Sequence, residues 1–129
     1  ERYAWRVWPT VSDLAHLANI WPGTHDFGAF GSPPRSGGST VRTVIAARWQ
    51  QEADEWIFEI QADAFLYRMV RRLVYAQVAV GQARLSAKIL ARALDNRSDI
   101  RQEAQAQIPA GLAPGCGLTL VEVSYDNLV

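Results

Sequence analysis

The chain has 129 residues and a formal net charge of zero, with 13 basic and 13 acidic side chains. That size suits a single domain, and the balance excludes a globally basic nucleic-acid-coating protein. Its one cysteine, Cys116, excludes an internal disulfide and reads as a protein of the reducing cytoplasm. No apolar run approaches the ~18 residues of a membrane span, and no basic-then-apolar leader opens the sequence. The chain starts at Glu1 without a methionine, which reads as a fragment or a processed product. Zero net charge leaves room for a local patch. Arg2, Arg6, Arg35, Arg42, Arg48, Arg68, Arg71 and Arg72 fall in the first 72 residues, while lysine occurs once, at Lys88. Planar guanidinium groups suit phosphate and carboxylate recognition.

In chain order, "YAWRVW" (3–8) alternates as a short strand would. "PTVSDLAHLANIWPG" follows, with Ser12 or Thr10 as the cap of a helix of about 9 residues. Leu14, Leu17 and Ala18 share one face of it, and Pro22 and Gly23 end it. Residues 24–40, "THDFGAFGSPPRSGGST", read as a long loop. "TVRTVIAARWQQ" (40–51) and "WIFEIQAD" (56–63) read as an antiparallel hairpin turning at "EADE". Asp63 is the expected cap of a long helix running to about Val80 and stopped by Gly81. Leu85–Leu94 reads as a shorter helix with Ser86 as its cap, and residues 95–116 as mostly irregular. "LTLVEVSYD" (118–126) closes the chain as a strand. Together these elements predict an α+β fold: a two-layer arrangement with an antiparallel sheet and helices on one face.

The stretch "DAFLYRMVRRLV" (63–74) places three arginines in an otherwise apolar run. On a helical wheel over 64–80, Phe65, Leu66, Met69, Leu73, Ala76 and Val80 make one apolar stripe. Arg68, Arg72 and Tyr75 fall opposite, as a solvated face. Arg71 falls on a shoulder beside Val74 and Val78, where a guanidinium needs a partner because desolvating it alone costs several kcal/mol. Two readings stay open on spacing: three surface charges, or an Arg71 that meets a carboxylate or phosphate in a cleft.

The blocks "GTHDFGAF", "TVRTV", "FLYRMVRRLV" and "GLTLVEVSYD", in that order between residues 23 and 126, resemble the C-terminal half of the tRNA pseudouridine synthase A family. The resemblance implies the ferredoxin-like half of a pseudouridine synthase. It also implies an isomerase that converts uridine to pseudouridine in the tRNA anticodon arm without cofactor or metal, and an intact protein that is a homodimer. The family's catalytic aspartate stands in an Arg-Thr-Asp stretch of its other half. No aspartate here, from Asp13 to Asp126, has that context, and the family's active-site tyrosine has no clear match. The expectation is therefore a single domain, the C-terminal half without its catalytic N-terminal partner and inactive alone. The resemblance maps the family's active-site arginine, partner of the catalytic aspartate, onto Arg71. It maps Gly117 and Leu118 onto the wall of the uracil pocket. Arg68 and Arg72 then face solvent or RNA phosphates, and Arg42 is a further candidate for phosphate or an ordinary strand-edge residue.

His25 and Asp26 read as a structural turn, with Asp26 binding backbone amides, before they read as an acid–base pair. Phe27 and Phe30 read as hydrophobic anchors of the loop before they read as base-stacking groups. No metal-ligand spacing, Walker loop or dinucleotide fingerprint is present. A reading of another class is a free-standing α+β module that binds RNA or a small ligand and never catalyses.

Overall fold

The computed structural model describes residues 2–7, 14–52, 55–108 and 118–124. The strands are β1 (Arg2–Val7), β2 (Gly23–Asp26), β3 (Val41–Glu52), β4 (Glu55–Ala62) and β5 (Leu118–Ser124). The helices are α1 (Met69–Gly81), α2 (Ala87–Arg92) and α3 (Ser98–Gln107). One sheet runs in the order β2-β3-β4-β1-β5, with every neighbouring pair antiparallel. The α+β class expected from the sequence is the observed one.

The hairpin β3–β4 forms where the β-branched and aromatic runs were read, with Trp49 opposite Phe58 and Ala47 opposite Ile60. Trp49, Phe58 and Ile60 belong to the same buried cluster as Leu73, Val74 and Ala76 of α1. That face carries the helices. On the other face Arg48 lies opposite Glu59, and the two side chains join through contacts of 3.2–3.3 Å. A bulge between Val44 and Ala46 breaks the alternation, burying Val44 while leaving Ile45 60% exposed.

Several expectations are corrected. The early helix shortens to a 3₁₀ turn, Leu17–Ile20, although Leu14, Leu17 and Ala18 are all buried as expected. Its proposed caps, Thr10 and Ser12, lie outside the described residues, as do the centre of the "EADE" turn, residues 109–117 and the last two residues of the final strand reading. The supposed loop 24–40 opens as a strand, since β2 pairs with the start of β3 and the Thr24 and Thr43 hydroxyls meet at 2.9 Å. Two apolar-free rungs gave no alternation to read. The supposed irregular stretch after residue 95 contains α3. Its sequence "SDIRQEAQAQ" is rich in helix formers but buries Ala104 alone among its residues, so no apolar stripe announces it.

The largest correction concerns α1, which starts at Met69 rather than after Asp63. The Asp63 carboxylate accepts the amides of Thr43 (3.0 Å) and Ala64 (2.8 Å), so it ties the end of β4 to β3 instead of capping a helix. Residues 64–67 stay out of the helix because Tyr67 is held elsewhere. Its amide donates to the Ser32 carbonyl (2.9 Å) and its carbonyl accepts from the Ser32 amide (3.3 Å). Arg68 then breaks the backbone at φ 67°, ψ 5°, in the left-handed region. At the far end the helix includes Gly81, and Ala83 (φ 60°) supplies the left-handed turn that ends it. The Ser86 cap of α2 is as expected, accepting from the Lys88 amide.

The core holds one fully buried polar side chain among the described residues, Gln77. Its Oε1 accepts from Trp49 Nε1 (2.8 Å) and its Nε2 donates to the Leu73 carbonyl (3.1 Å). This bond locks the middle of α1 to the centre of the sheet.

Candidate functional site

The site is built on the junction between the "GTHDFGAF" segment and the start of α1. Asp26 closes the base of the intervening loop. Its Oδ1 accepts from the Gly28 amide (2.9 Å) and the Thr40 hydroxyl (2.6 Å), and its Oδ2 lies 3.4 Å from the Arg101 guanidinium of α3. Burial disfavours the charged form, but the Thr40 hydroxyl, the Gly28 amide and Arg101 together outweigh it and hold the Asp26 carboxyl below its ordinary range. The structural reading of Asp26 is the observed one. His25 points its Nε2 at the Pro22 carbonyl (3.0 Å) and stacks edge-on against Phe27. Because that carbonyl can accept but not donate, Nε2 carries the proton. Phe27 and Phe30 are 0% and 1% exposed, so they anchor the loop, with Phe30 edge-on to Trp21 at 5.3 Å. Burying each stabilises the loop by roughly 1.5–3 kcal/mol.

From this anchored base the chain reaches Gly31 and Ser32. A Cβ at Gly31 would sit 2.6 Å from Leu66 Cβ and 2.8 Å from the Tyr67 carbonyl oxygen, so only glycine lets the two segments approach. The Ser32–Tyr67 bridge follows directly. Two sequence blocks far apart in the chain are thereby stapled together, and the side chains of Tyr67, Arg68 and Arg71 are presented beside the staple.

Every local preference at the start of α1 runs against helix stability. No side chain caps it, no acid occupies its first turn, and its N-cap residue is a non-glycine in the left-handed region. Arginines at 68, 71 and 72 add positive charge to the positive end of the helix dipole. The outcome is a concentrated positive end suited to an anion. Arg68 packs its guanidinium over the Tyr67 ring, 5.0 Å from the centroid. The hydrogen bond from Arg68, then the charges of Arg68 and Arg71, hold the Tyr67 phenol below its ordinary pKa. Sequence reasoning passed over Tyr67. The signal was there: a large aromatic beside an arginine cluster, outside the apolar stripe.

The wheel exchanged two arginines. Arg71 is exposed rather than half-buried, and Arg72 is half-buried rather than fully solvated. Val74 and Val78, which the wheel set on Arg71's shoulder outside the apolar stripe, are both buried, whereas Phe65 and Val80 of the stripe are half-buried. At the first turn the cover has ended. Arg68, exposed as expected, is the N-cap and not a wheel position at all. Arg42 is half-buried, with Nη1 donating to the Ser39 (3.0 Å) and Val41 (2.8 Å) carbonyls, and its Nε is buried without a hydrogen-bond partner. Leu118 pairs with Val7 on the edge strand, in the row of Trp56 and Gln51. Arg42 is at the opposite end of β3, so the sheet holds these two candidates apart. Gly117 lies outside the described residues. Among the described residues no group of three or more His, Cys, Asp or Glu side chains could hold a metal ion, and no helix is long and apolar enough to cross a membrane.

The fold and this cluster define a class: an α+β domain that presents guanidinium groups and an exposed aromatic at one end of an antiparallel sheet. Comparison with known proteins narrows it. The family model described as tRNA pseudouridine synthase matches residues 17–126. A tRNA pseudouridine synthase A 1 of Bacillus cereus is 36% identical over 117 residues, covering 91% of this chain and 44% of that protein. The tRNA pseudouridine synthase A of Methylacidiphilum infernorum is 36% identical over 126 residues, covering 95% of this chain and 46% of the relative. That of Chlorobaculum tepidum is 40% identical over 88 residues, covering 68% of this chain and 36% of the relative. The chain belongs to the tRNA pseudouridine synthase family, and it spans less than half the length of these curated relatives.

Proposed function

We propose that this chain supplies the supporting half of a tRNA pseudouridine synthase active site, an isomerase acting on uridine in the tRNA anticodon arm. The observation that carries the reading is the exposed Arg71 at an uncapped helix start, fixed in place by the Ser32–Tyr67 bridge. An arginine so placed has the chemistry to meet a carboxylate. An aspartate carried outside these 129 residues is its partner in this reading, and the adjacent cation keeps that aspartate ionised and oriented. The glycosidic bond then breaks, the uracil turns, and the ring rejoins the sugar through carbon. The hydrogen on that carbon leaves as a proton. Arg68 and Arg72 take backbone phosphates, with Arg42 as a further contact, while Gly117 and Leu118 form part of the uracil wall. The working protein is a cytoplasmic homodimer in this reading, one that needs neither cofactor nor metal.

Tritium release from tRNA labelled at uridine carbon 5 tests it. The 129 residues alone release nothing, and supplying a half that bears the Arg-Thr-Asp stretch restores release. In the restored enzyme Arg71→Ala lowers the rate on the order of 100-fold, the scale for losing a positioned charge at a reacting centre. A full rate in that variant removes Arg71 from the site.

A further inference from the structure

Tyr67 has no part in the mechanism above, yet the fold treats it unusually. It is a large aromatic left 65% exposed. Its backbone is nonetheless fixed on both sides, by the two hydrogen bonds to Ser32 and by the close approach that Gly31 permits. The next residue, Arg68, occupies the left-handed region, a conformation that is costly for an L-residue. With that backbone the guanidinium lies over the Tyr67 ring. Strain of this kind persists where the surroundings enforce it, and it clusters at ligand contacts.

An exposed ring on a rigid backbone, backed by a cation and next to further arginines, has the parts of a stacking platform for single-stranded nucleic acid. The arginines attract phosphates without regard to sequence, and the ring offers a flat apolar face to a splayed base. A membrane or peptide partner would call for a broader apolar patch. Among the described residues Val41 and Ile45 are the other large exposed hydrophobics, and both stand on β3 rather than beside the ring. We propose that Tyr67, backed by Arg68, stacks on an unpaired base of the RNA substrate next to the Arg71 site and so positions the target nucleotide. This rests on the reading above that the substrate is tRNA.

The test uses the full-length enzyme and anticodon stem–loop RNAs, each carrying 2-aminopurine at one loop position. The wild type quenches the probe at one position by stacking. Tyr67→Phe keeps both quenching and affinity. Tyr67→Leu and Tyr67→Ala lose the quenching and raise Kd roughly 10- to 100-fold, the range expected for one lost base stack. Arg68→Lys, which keeps the charge but loses the planar contact, weakens quenching without abolishing binding. Because Tyr67 is exposed, these variants should unfold at the wild-type temperature, and Phe and Leu remain informative even if Ala does not fold. Wild-type quenching in Tyr67→Leu overturns the proposal. So does a Tyr67→Phe variant as defective as Tyr67→Ala, which would assign the role to the hydroxyl. Quenching without tritium release in the wild type sinks the isomerase reading and leaves the platform standing. Tritium release unchanged in Tyr67→Leu, with unchanged Kd, does the reverse.

Discussion

The middle and the start of α1 obey opposite rules. Along its middle, Leu73, Val74 and Ala76 are fully buried, and the one polar side chain among them, Gln77, has both of its functional atoms bonded. At its start the helix has no cap, no acidic first turn, a left-handed arginine and two exposed charged residues, Arg68 and Arg71. The buried middle packs its apolar side chains and satisfies its polar one. The exposed start accumulates costs, which the Ser32–Tyr67 bridge enforces by holding residues 64–67 out of the helix. Ala83, at φ 60°, carries the same left-handed cost past the far end, but only the start of this helix joins it to a missing cap and exposed like charges, the expected mark of a site serving something outside the fold. The difference separates what holds this domain together from what the domain holds out.

The contrast breaks most visibly at the staple between them. Gly31→Ala forces a methyl to within 2.6 Å of Leu66 Cβ and 2.8 Å of the Tyr67 carbonyl oxygen, neither of which is the free end of a flexible side chain. The expected destabilisation is about 3 kcal/mol, the upper end of the overpacking range. It should appear as a lower urea midpoint at unchanged slope. The same variant should detach the exposed end from its support, so RNA binding falls even at temperatures where the protein stays folded. A Gly31→Ala variant with wild-type stability would mean that the two segments are not held together as described.

Within the buried middle, Gln77→Leu is the sharper probe. It is near-isosteric and apolar, so a core that wanted only volume would accept it. Here it orphans the buried indole N–H of Trp49, a residue 7% exposed, and costs about 1–2 kcal/mol despite the added apolar surface. Its effect on RNA affinity should be negligible. That pairing of lost stability with retained binding is the inverse of what the exposed end predicts.

These contrasts mirror what the amino-acid sequence makes legible. The hairpin is readable because Trp56, Phe58 and Ile60 alternate with Ile57, Glu59 and Gln61, and pleat periodicity leaves no other arrangement for so much apolar surface. The core row of α1 is readable for the same reason at helical spacing. The start of α1 is not, because "DAFLY" has helical periodicity too, and the force that denies it a helix comes from Ser32, thirty-five residues upstream of Tyr67. Periodicity records burial, and a single long-range bridge overrides it without leaving a pattern. The exchange of Arg71 and Arg72 is a matter of helical phase: at about 100° per residue Arg71 lies roughly 170° from the centre of the Met69–Leu73–Ala76–Val80 stripe and Arg72 roughly 70°, so Arg72 is the shoulder residue. α3 escapes for the opposite reason: its propensity is high but it buries too little to be seen. For Arg71, spacing leaves the role open, and only the resemblance to a family proposes one.

The smallest expected effect cuts closest to the comparison, because it carries opposite signs in stability and in function. Arg68→Gly places at φ 67° the one residue that adopts this conformation without strain. Relief of the left-handed penalty, offset by the greater freedom of glycine in the unfolded chain, leaves a net gain of about 0.5–1 kcal/mol. The thermal midpoint should therefore rise. Binding to tRNA should weaken, and the slope of log Kd against log salt should fall by about one, since one phosphate contact is lost. A domain that becomes more stable as it loses its ligand holds Arg68 for the ligand's sake. If Arg68→Gly lowers stability instead, the arginine is part of the fold, and the distinction between the middle and the start of α1 disappears.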